Sequence, residues 1–517
     1  MTPRRLALGA IVLAGVALRV IGLDRWPGIN GDEAWYGVNA QLLLEGQRPF
    51  FRTGIGNPLN LFHSLPILLT AAMLPPAQFL LRVPSVIWGS LAVVAAYPLL
   101  ARTLGSRAAL LVTTLLAVSP AAVAYSRFGW DPSATPFFTL AAVALALADR
   151  PLLAGLATLG GIAVHPTNVF AVPIIAGAWF PSARARFAAA GAPARRQLAI
   201  GAGVLAMLSV PVVLWLIGTP PYSTVLPSIR VMAGRALSPS DWLSVVHGVL
   251  RLFAGVTTAT HIAGPVPSTA RHAAEVFAAL LFVVPVLVGW RRLADDRAHQ
   301  FAWLAAGVAC SLVVFQIVAL PGSFEAPTER YAMFLLSPLI VLCAMAMEAM
   351  MQDRPKTAWP AMSLAVAGLF AVLVGTYFVP IVTRGGESQP SFKTGVLEPK
   401  DAAFAFLLEA SRSADVVRVV AENWGLYWSL RYLAWPERDR LRVEMLADAS
   451  VPGGLRPRGV PPPSYRHAPD EEYFVVFDAG ADGRRILQTG RQPVFTARDP
   501  LGRPVVHVFA MAQQFQP

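Results

Sequence analysis

Asp32 and Glu33 stand side by side in Ile29-Asn30-Gly31-Asp32-Glu33-Ala34-Trp35-Tyr36-Gly37, about ten residues beyond the first apolar stretch. Charges at the edge of a membrane are costly unless they face a cavity or each other. A carboxylate fixed there can act as a general base on a hydroxyl group. A second reading stays open. Acids are favoured in the first turn of a helix, and Asp32 could itself cap a helix running through Ala34–Leu44. The pair therefore divides: Asp32 is the expected base, and Glu33 suits a helix start or a supporting place in the catalytic set.

Other polar groups recur where apolar stretches end. Asp131 lies in Tyr125-Ser-Arg127-Phe-Gly-Trp130-Asp131-Pro132. It is either an Asp-Pro turn paired with Arg127, or a second carboxylate facing the first. In the second reading it helps bind an acceptor or a divalent metal, and Arg127 binds phosphate. His165 sits in Ala163-Val-His165-Pro-Thr167-Asn168; it is a hydrogen-bonded structural residue or a cavity residue beside Asn168. Glu329-Arg330-Tyr331 opens another apolar stretch. Arg330 either reaches for the interface or clamps a lipid-linked phosphate, oriented by Glu329. Arg82 is a further candidate of this kind. Tyr36, Asn57, Asn168, Glu329 and Tyr331 complete the expected supporting set. The sequence holds no Walker A loop, CxxC pair, HExxH or GxSxG.

Membrane elements must position these groups. The 517 residues are 55% apolar and 14% charged, against roughly 25% charge in a soluble domain. Apolar stretches near the ~20 residues a span needs occur at about 6–22, 84–101, 108–124, 134–148, 151–164, 168–180, 198–217, 273–290, 300–320, 331–350 and 358–381. The first has no small-residue cleavage site after it and reads as a retained span rather than a signal peptide. These eleven spans put the N-terminus in the cytoplasm. The 43 residues of the inner pieces then hold 14 Lys and Arg, whereas outer loops of about 140 residues hold ten. This positive-inside bias accounts for the net charge of +12 without nucleic acid. Cys310 and Cys343 fall inside spans and imply no disulfide framework.

Outer loop 23–83 carries an apolar stretch at Leu59–Leu74 between prolines, and outer loop 218–272 carries Asp241–Phe253. Both read as helices lying on the membrane, the second with His247 and Arg251 on one polar stripe. Residues 1–381 thus form a transmembrane domain. Residues 382–517 turn polar and form a small extracytoplasmic α/β domain. Its expected strands are Val416–Val420, Tyr473–Asp478 and Val505–Phe509, its helix Ala402–Leu408, and its last turn Asp499–Gly502. A plasma-membrane transporter or flippase for lipid-linked glycans would also gather arginines and acids around a cavity. Such proteins often show two related halves, and none is visible here. A third class is a non-catalytic scaffold whose C-terminal domain binds glycan.

Taken in order, Asp32-Glu-Ala-Trp-Tyr36, Gly46-Gln-Arg-Pro-Phe50, Arg82-Val-Pro-Ser85, Tyr125-Ser-Arg127 with Asp131, and Glu329-Arg330-Tyr331 with Pro338 resemble the membrane-embedded C-type glycosyltransferases. The resemblance spans residues 1–350 and is strongest to bacterial members of glycosyltransferase family 39, which are similar to protein O-mannosyltransferases and lipid A aminoarabinose transferases. It implies a polyprenyl-phosphate sugar donor, a hydroxyl acceptor on protein, lipid or glycan, and work on the outer membrane face with inversion. It gives Asp32 the role of catalytic carboxylate and Asp131 a supporting one. Aminoarabinose transferases hold the lipid phosphate with a lysine in a Lys-Pro pair. Asn57-Pro58 stands here, so phosphate recognition falls on Arg127, His165 or Arg330, or on a metal.

Overall fold

The computed structural model describes residues 3–47, 60–189, 196, 234–255, 262–264, 266–318, 328–353, 355–384, 397–446, 471–478 and 480–511. Helices α1 (Pro3–Val20), α4 (Gln78–Leu100), α5 (Gly105–Val118), α6 (Pro120–Ser126), α7 (Thr135–Leu147), α8 (Pro151–Val164) and α9 (Val172–Ala189) begin the membrane part. Helices Ser268–Gly289, Asp295–Val318, Leu336–Asp353 and Pro355–Leu373 complete it. Helix therefore lies at ten of the eleven expected spans, and 198–217 lies outside the described residues. Among the described residues, five helices are long and apolar enough to cross a membrane.

The expected span 108–124 is α5 and α6, bent by 57°. Pro120 has no amide to continue the ladder, and the Ser119 hydroxyl takes over by accepting from the Ala122 amide at 3.4 Å. The segment Glu329–Gln352 is the inner element, 94% buried across its apolar window, whereas three of the other long helices bury only a third of theirs. A helix apolar all round belongs inside the bundle, and one that leaves apolar surface outward faces lipid.

Helices form at both segments expected to lie on the membrane. Helix α3 (Leu61–Ala71) has 11 residues, too few to cross a bilayer. It exposes Leu65, Leu69 and, just beyond it, Met73. Helix Pro239–Ala254 exposes Leu243 and Val246. Its polar stripe docks rather than facing water: His247 and Arg251 lie 3.7 and 3.5 Å from Glu275 on helix Ser268–Gly289.

Beyond the membrane part, β1 (Val417–Ala421), β2 (Leu441–Met445), β3 (Glu471–Phe477), β4 (Phe495–Arg498) and β5 (Pro504–Ala510) form one sheet in the order β2-β1-β3-β5-β4. Strands β2, β1 and β3 pair in parallel, and β5 pairs antiparallel with both β3 and β4. The expected strands and helix are present, the helix longer than expected at Leu397–Ser413. Sequence reading missed β2, β4 and helices Trp424–Leu433 and Ala481–Gln488. The 499–502 turn forms with Gly502 at φ 77°, and the Asp499 carboxylate accepts from the Leu501 and Arg503 amides.

One apolar cluster unites this sheet with helix α2 (Gly31–Leu44). Ile29, Ala34, Val38 and Leu42 pack with Leu426, Trp428, Val417 and Val475. Two glycines allow the close approach. A Cβ at Gly31 would lie 2.8 Å from the Trp424 carbonyl, and one at Gly37 2.4 Å from the Tyr432 ring. The helix that carries Asp32 is thus built into the core of the C-terminal unit.

Candidate active site

The start of α2 is set by its own sequence. Asn30 caps it, accepting from the Asp32 amide at 2.7 Å, while Glu33 accepts from the Asn30 amide at 3.0 Å. This is a capping box. Asn30, not Asp32, therefore supplies the cap, and the Asp32 carboxylate is available for other contacts. Glu33 is fully buried. It meets Arg82 at two points, Nη2 to Oε1 at 2.8 Å and Nε to Oε2 at 3.2 Å, and accepts from the Gly129 amide at 2.9 Å. One carboxylate thereby ties α2 to α4 and to the Asp131 loop.

Two arginines expected at a phosphate are enclosed instead. Arg82 also donates to the carbonyls of Leu23 and Gly28, each at 3.0 Å. Arg127 donates to the carbonyls of Leu18 and Trp26 at 3.0 and 3.1 Å and lies against the Phe378 ring. Neither side chain has exposed surface, and Arg127 makes no ion pair with Asp131. With Arg19, which donates to the carbonyls of Gly15 and Leu116, they hold segment 15–30 in place. A guanidinium matches several acceptors at once, so buried backbone carbonyls near the loop find partners.

The groups that do converge come from six elements. Asp32 has a side chain 39% exposed, with Oδ2 3.5 Å from Arg330 Nη1. Its Oδ1 accepts from the Trp424 indole at 3.0 Å. Arg330 lies on the 3-10 helix Thr328–Leu335. It stacks over Trp130 at 4.5 Å and donates to the Tyr331 hydroxyl at 3.2 Å. Tyr331 stacks on His165 at 5.5 Å. Glu329 is buried. Asp131 opens the 3-10 turn Asp131–Ala134 and faces His63, Arg330 and the Tyr36 hydroxyl; burial raises its pKa, and His63 and Arg330 oppose this. Burial and the charges of Asp131 and Asp32 push the Tyr36 hydroxyl well above its usual value.

His63 belongs to this group and was not among the expected site residues. It stands in the first turn of α3, where Asn60 caps the helix by accepting its amide at 3.1 Å. Its ring meets the edge of Tyr36 at 4.5 Å. Burial pushes its pKa down to about 4 against the pull of Asp131. The available signal was a lone His on an otherwise apolar lateral helix. His165 has a local task as well: its Nδ1 contacts the Thr167 hydroxyl at 2.7 Å and caps the 3-10 helix Pro166–Ala171. Burial lowers its pKa to about 3. Asn168 is enclosed and accepts from Thr139 at 3.1 Å. Asn57 lies outside the described residues. Among the described residues no three His, Cys, Asp or Glu side chains cluster as a metal site.

The result is a cluster of two carboxylates, one partly exposed guanidinium and several aromatic rings. It can hold an anion beside a base.

No family model matches the sequence, and no curated protein does. Solved structures do match. ArnT from Cupriavidus metallidurans bound to undecaprenyl phosphate superposes with a TM-score of 0.55 at 12% identity, over 99% of each chain. The apo state of the same protein gives 0.54 at 11% identity, over 98% of this chain and 97% of that one. From first helix to last strand, this chain therefore has the fold of ArnT, a membrane C-type glycosyltransferase fold.

Proposed function

We propose that the chain is an integral membrane glycosyltransferase that moves a sugar from a polyprenyl-phosphate donor to a hydroxyl acceptor on the outer face of the plasma membrane. The observation that carries this reading is the pairing of Asp32 with Arg330, both side chains partly exposed. A base must touch the acceptor and a cation must touch the leaving phosphate, and these two groups are neighbours. The likeness in fold to a protein solved with undecaprenyl phosphate supports a lipid-linked donor.

In this mechanism Asp32 takes the proton of the acceptor hydroxyl. The oxygen attacks the anomeric carbon from the face opposite the phosphate. The bond from that carbon to the phosphate oxygen breaks, its electron pair leaves with the phosphate, and the anomeric configuration inverts. Arg330 stabilises the charge gained by the phosphate, and His165 and Tyr331 hold Arg330 in place. Asp131, with Tyr36, orients the acceptor. The polyprenyl tail lies in the bilayer beside the lateral helix α3. The N-terminus is cytoplasmic and the C-terminal domain extracytoplasmic.

The test is an assay of the full chain in lipid nanodiscs with a radiolabelled polyprenyl-phosphate sugar. Acceptor-dependent release of polyprenyl phosphate is expected from wild type. Asp32→Asn should lower it by roughly 10²–10⁴-fold, the usual worth of general-base catalysis, with unchanged yield and melting temperature. Donor binding without release, together with movement of the intact donor across the membrane, would instead make the chain a transporter. Wild-type release by Asp32→Asn would remove Asp32 as base.

A further inference from the structure

The membrane part does not complete the acidic site by itself. We infer that Trp424 of the C-terminal domain is a positioning residue for Asp32, holding the carboxylate at a fixed angle with its exposed part open to an acceptor. This rests on the reading of Asp32 as the base.

Three observations carry it. The Trp424 indole donates to Asp32 Oδ1 at 3.0 Å, across 392 residues of sequence. Arg330 meets the other oxygen at 3.5 Å. The carboxylate is thus held from two sides by groups of opposite origin, while 39% of the side chain remains open for an acceptor. A donor on one oxygen and a cation on the other restrict rotation about the Cβ–carboxyl bond, which is otherwise broad and two-fold.

The donor itself is rigidly held. Trp424 is the first residue of its helix, and Asn423 caps that helix by accepting from the Gly425 and Leu426 amides at 3.1 and 3.4 Å. Asn423 donates to Glu422 at 3.0 Å, and Glu422 accepts from the Phe477 amide at 3.0 Å. The indole is therefore fixed to the end of β3 through two side chains. Its ring meets Trp428 edge to face at 5.4 Å. On the other side, Gly31 lets the indole come near: a Cβ there would lie 2.9 Å from Trp424 Cδ1. The glycine before Asp32 and the tryptophan that reaches it fit as one arrangement.

A hydrogen bond to a charged group is stronger than one between neutral groups, and one made to the charged form favours that form. Trp424→Phe keeps the aromatic packing and removes only the donor. In the nanodisc assay it should lower turnover about tenfold near neutral pH. It should also move the acidic limb of the turnover profile to higher pH, because the charged form of the base loses a donor. Donor affinity should stay as in wild type. Gly31→Ala, which displaces the indole, should move the limb in the same direction, and it serves as the readout if Trp424→Phe does not fold. An unmoved acidic limb in the folded variant would overturn the inference, because a purely structural tryptophan changes the amount of active protein and not its titration. If Asp32→Asn is inactive and the limb is still unmoved, only the role of Trp424 fails. If Asp32→Asn is active, the reading of Asp32 fails first.

Discussion

Arg82 and Glu33 form a two-point ion pair with no exposed surface on either side chain, at 2.8 Å between Nη2 and Oε1. Glu33 also accepts two backbone amides, from Asn30 and Gly129, and Arg82 donates to two backbone carbonyls. Each charge is thus satisfied in several directions, which is the condition under which a buried pair survives desolvation. Removing one partner leaves the other buried and unpaired, at a cost of roughly 3–5 kcal/mol. Glu33→Ala and Arg82→Ala are therefore expected to lower the melting temperature sharply, whereas Asp32→Asn leaves it in place. Thermal unfolding in detergent checks this. A normal melting temperature for Glu33→Ala would show that the pair does not hold α2.

Arg330 occupies the opposite situation, partly exposed and stacked on Trp130. Under the proposed function its guanidinium meets the donor phosphate. Charge-assisted hydrogen bonds of this kind contribute about 1.5–3 kcal/mol. Arg330→Ala should weaken binding of polyprenyl phosphate by roughly 10–100-fold, and Arg330→Lys should recover only part of it, since an ammonium lacks the planar fork. Titration of the detergent-solubilised protein with polyprenyl phosphate measures this. Equal affinity in wild type and Arg330→Ala would count against the clamp.

The contrast between these arginines shows what was legible in the sequence. Asp32 stands out in the sequence by its own place, just past a span and inside an aromatic segment, and the structure leaves its side chain partly exposed. Arg127 was misleading because an acid lies four residues away, which suggests a local pair. Its true partners are carbonyls of Leu18 and Trp26, 109 and 101 residues distant. Nothing in local spacing encodes such partners. The cap at Asn30 was in plain view, as an Asn followed three residues later by Glu. Spans and lateral helices followed from apolar length, a property that each segment carries alone. The union of α2 with the C-terminal core did not, because it depends on how Gly31 and Gly37 meet a helix encoded nearly 400 residues later.

His63 gives a pH prediction with a defined sign. Its folded pKa is pushed down to about 4 by burial, from an ordinary value of 6.5. Between these values the unfolded chain binds more protons than the folded one, so stability is complete above about 6.5 and falls as pH drops through about 4. His63 is also neutral throughout the neutral range, so an acidic limb of turnover near pH 6.5 would not arise from it. His63→Phe should flatten the loss of melting temperature between pH 6.5 and 4. An identical slope in wild type and variant would remove His63 as its source.

Lys400 supplies the corresponding test for docking of the C-terminal domain. It is buried, and its Nζ donates to the Ile29 carbonyl at 2.6 Å, one residue before the cap of α2. Burial lowers its pKa to about 7, with Glu33 opposing and Arg82 reinforcing the shift. The unfolded lysine titrates near 10.5. From about 7 to 10.5 the unfolded state therefore holds more protons, and stability rises with pH across this window and is flat below it. Melting temperature measured from pH 6 to 9 should climb above pH 7 in wild type. Lys400→Met loses one hydrogen bond but carries no charge to bury, so its curve should lack that climb. The gap between the two proteins should be most favourable to the variant at pH 6 and should close toward pH 9. A parallel rise in both would place the titrating group elsewhere and leave Lys400 a charged anchor at the interface.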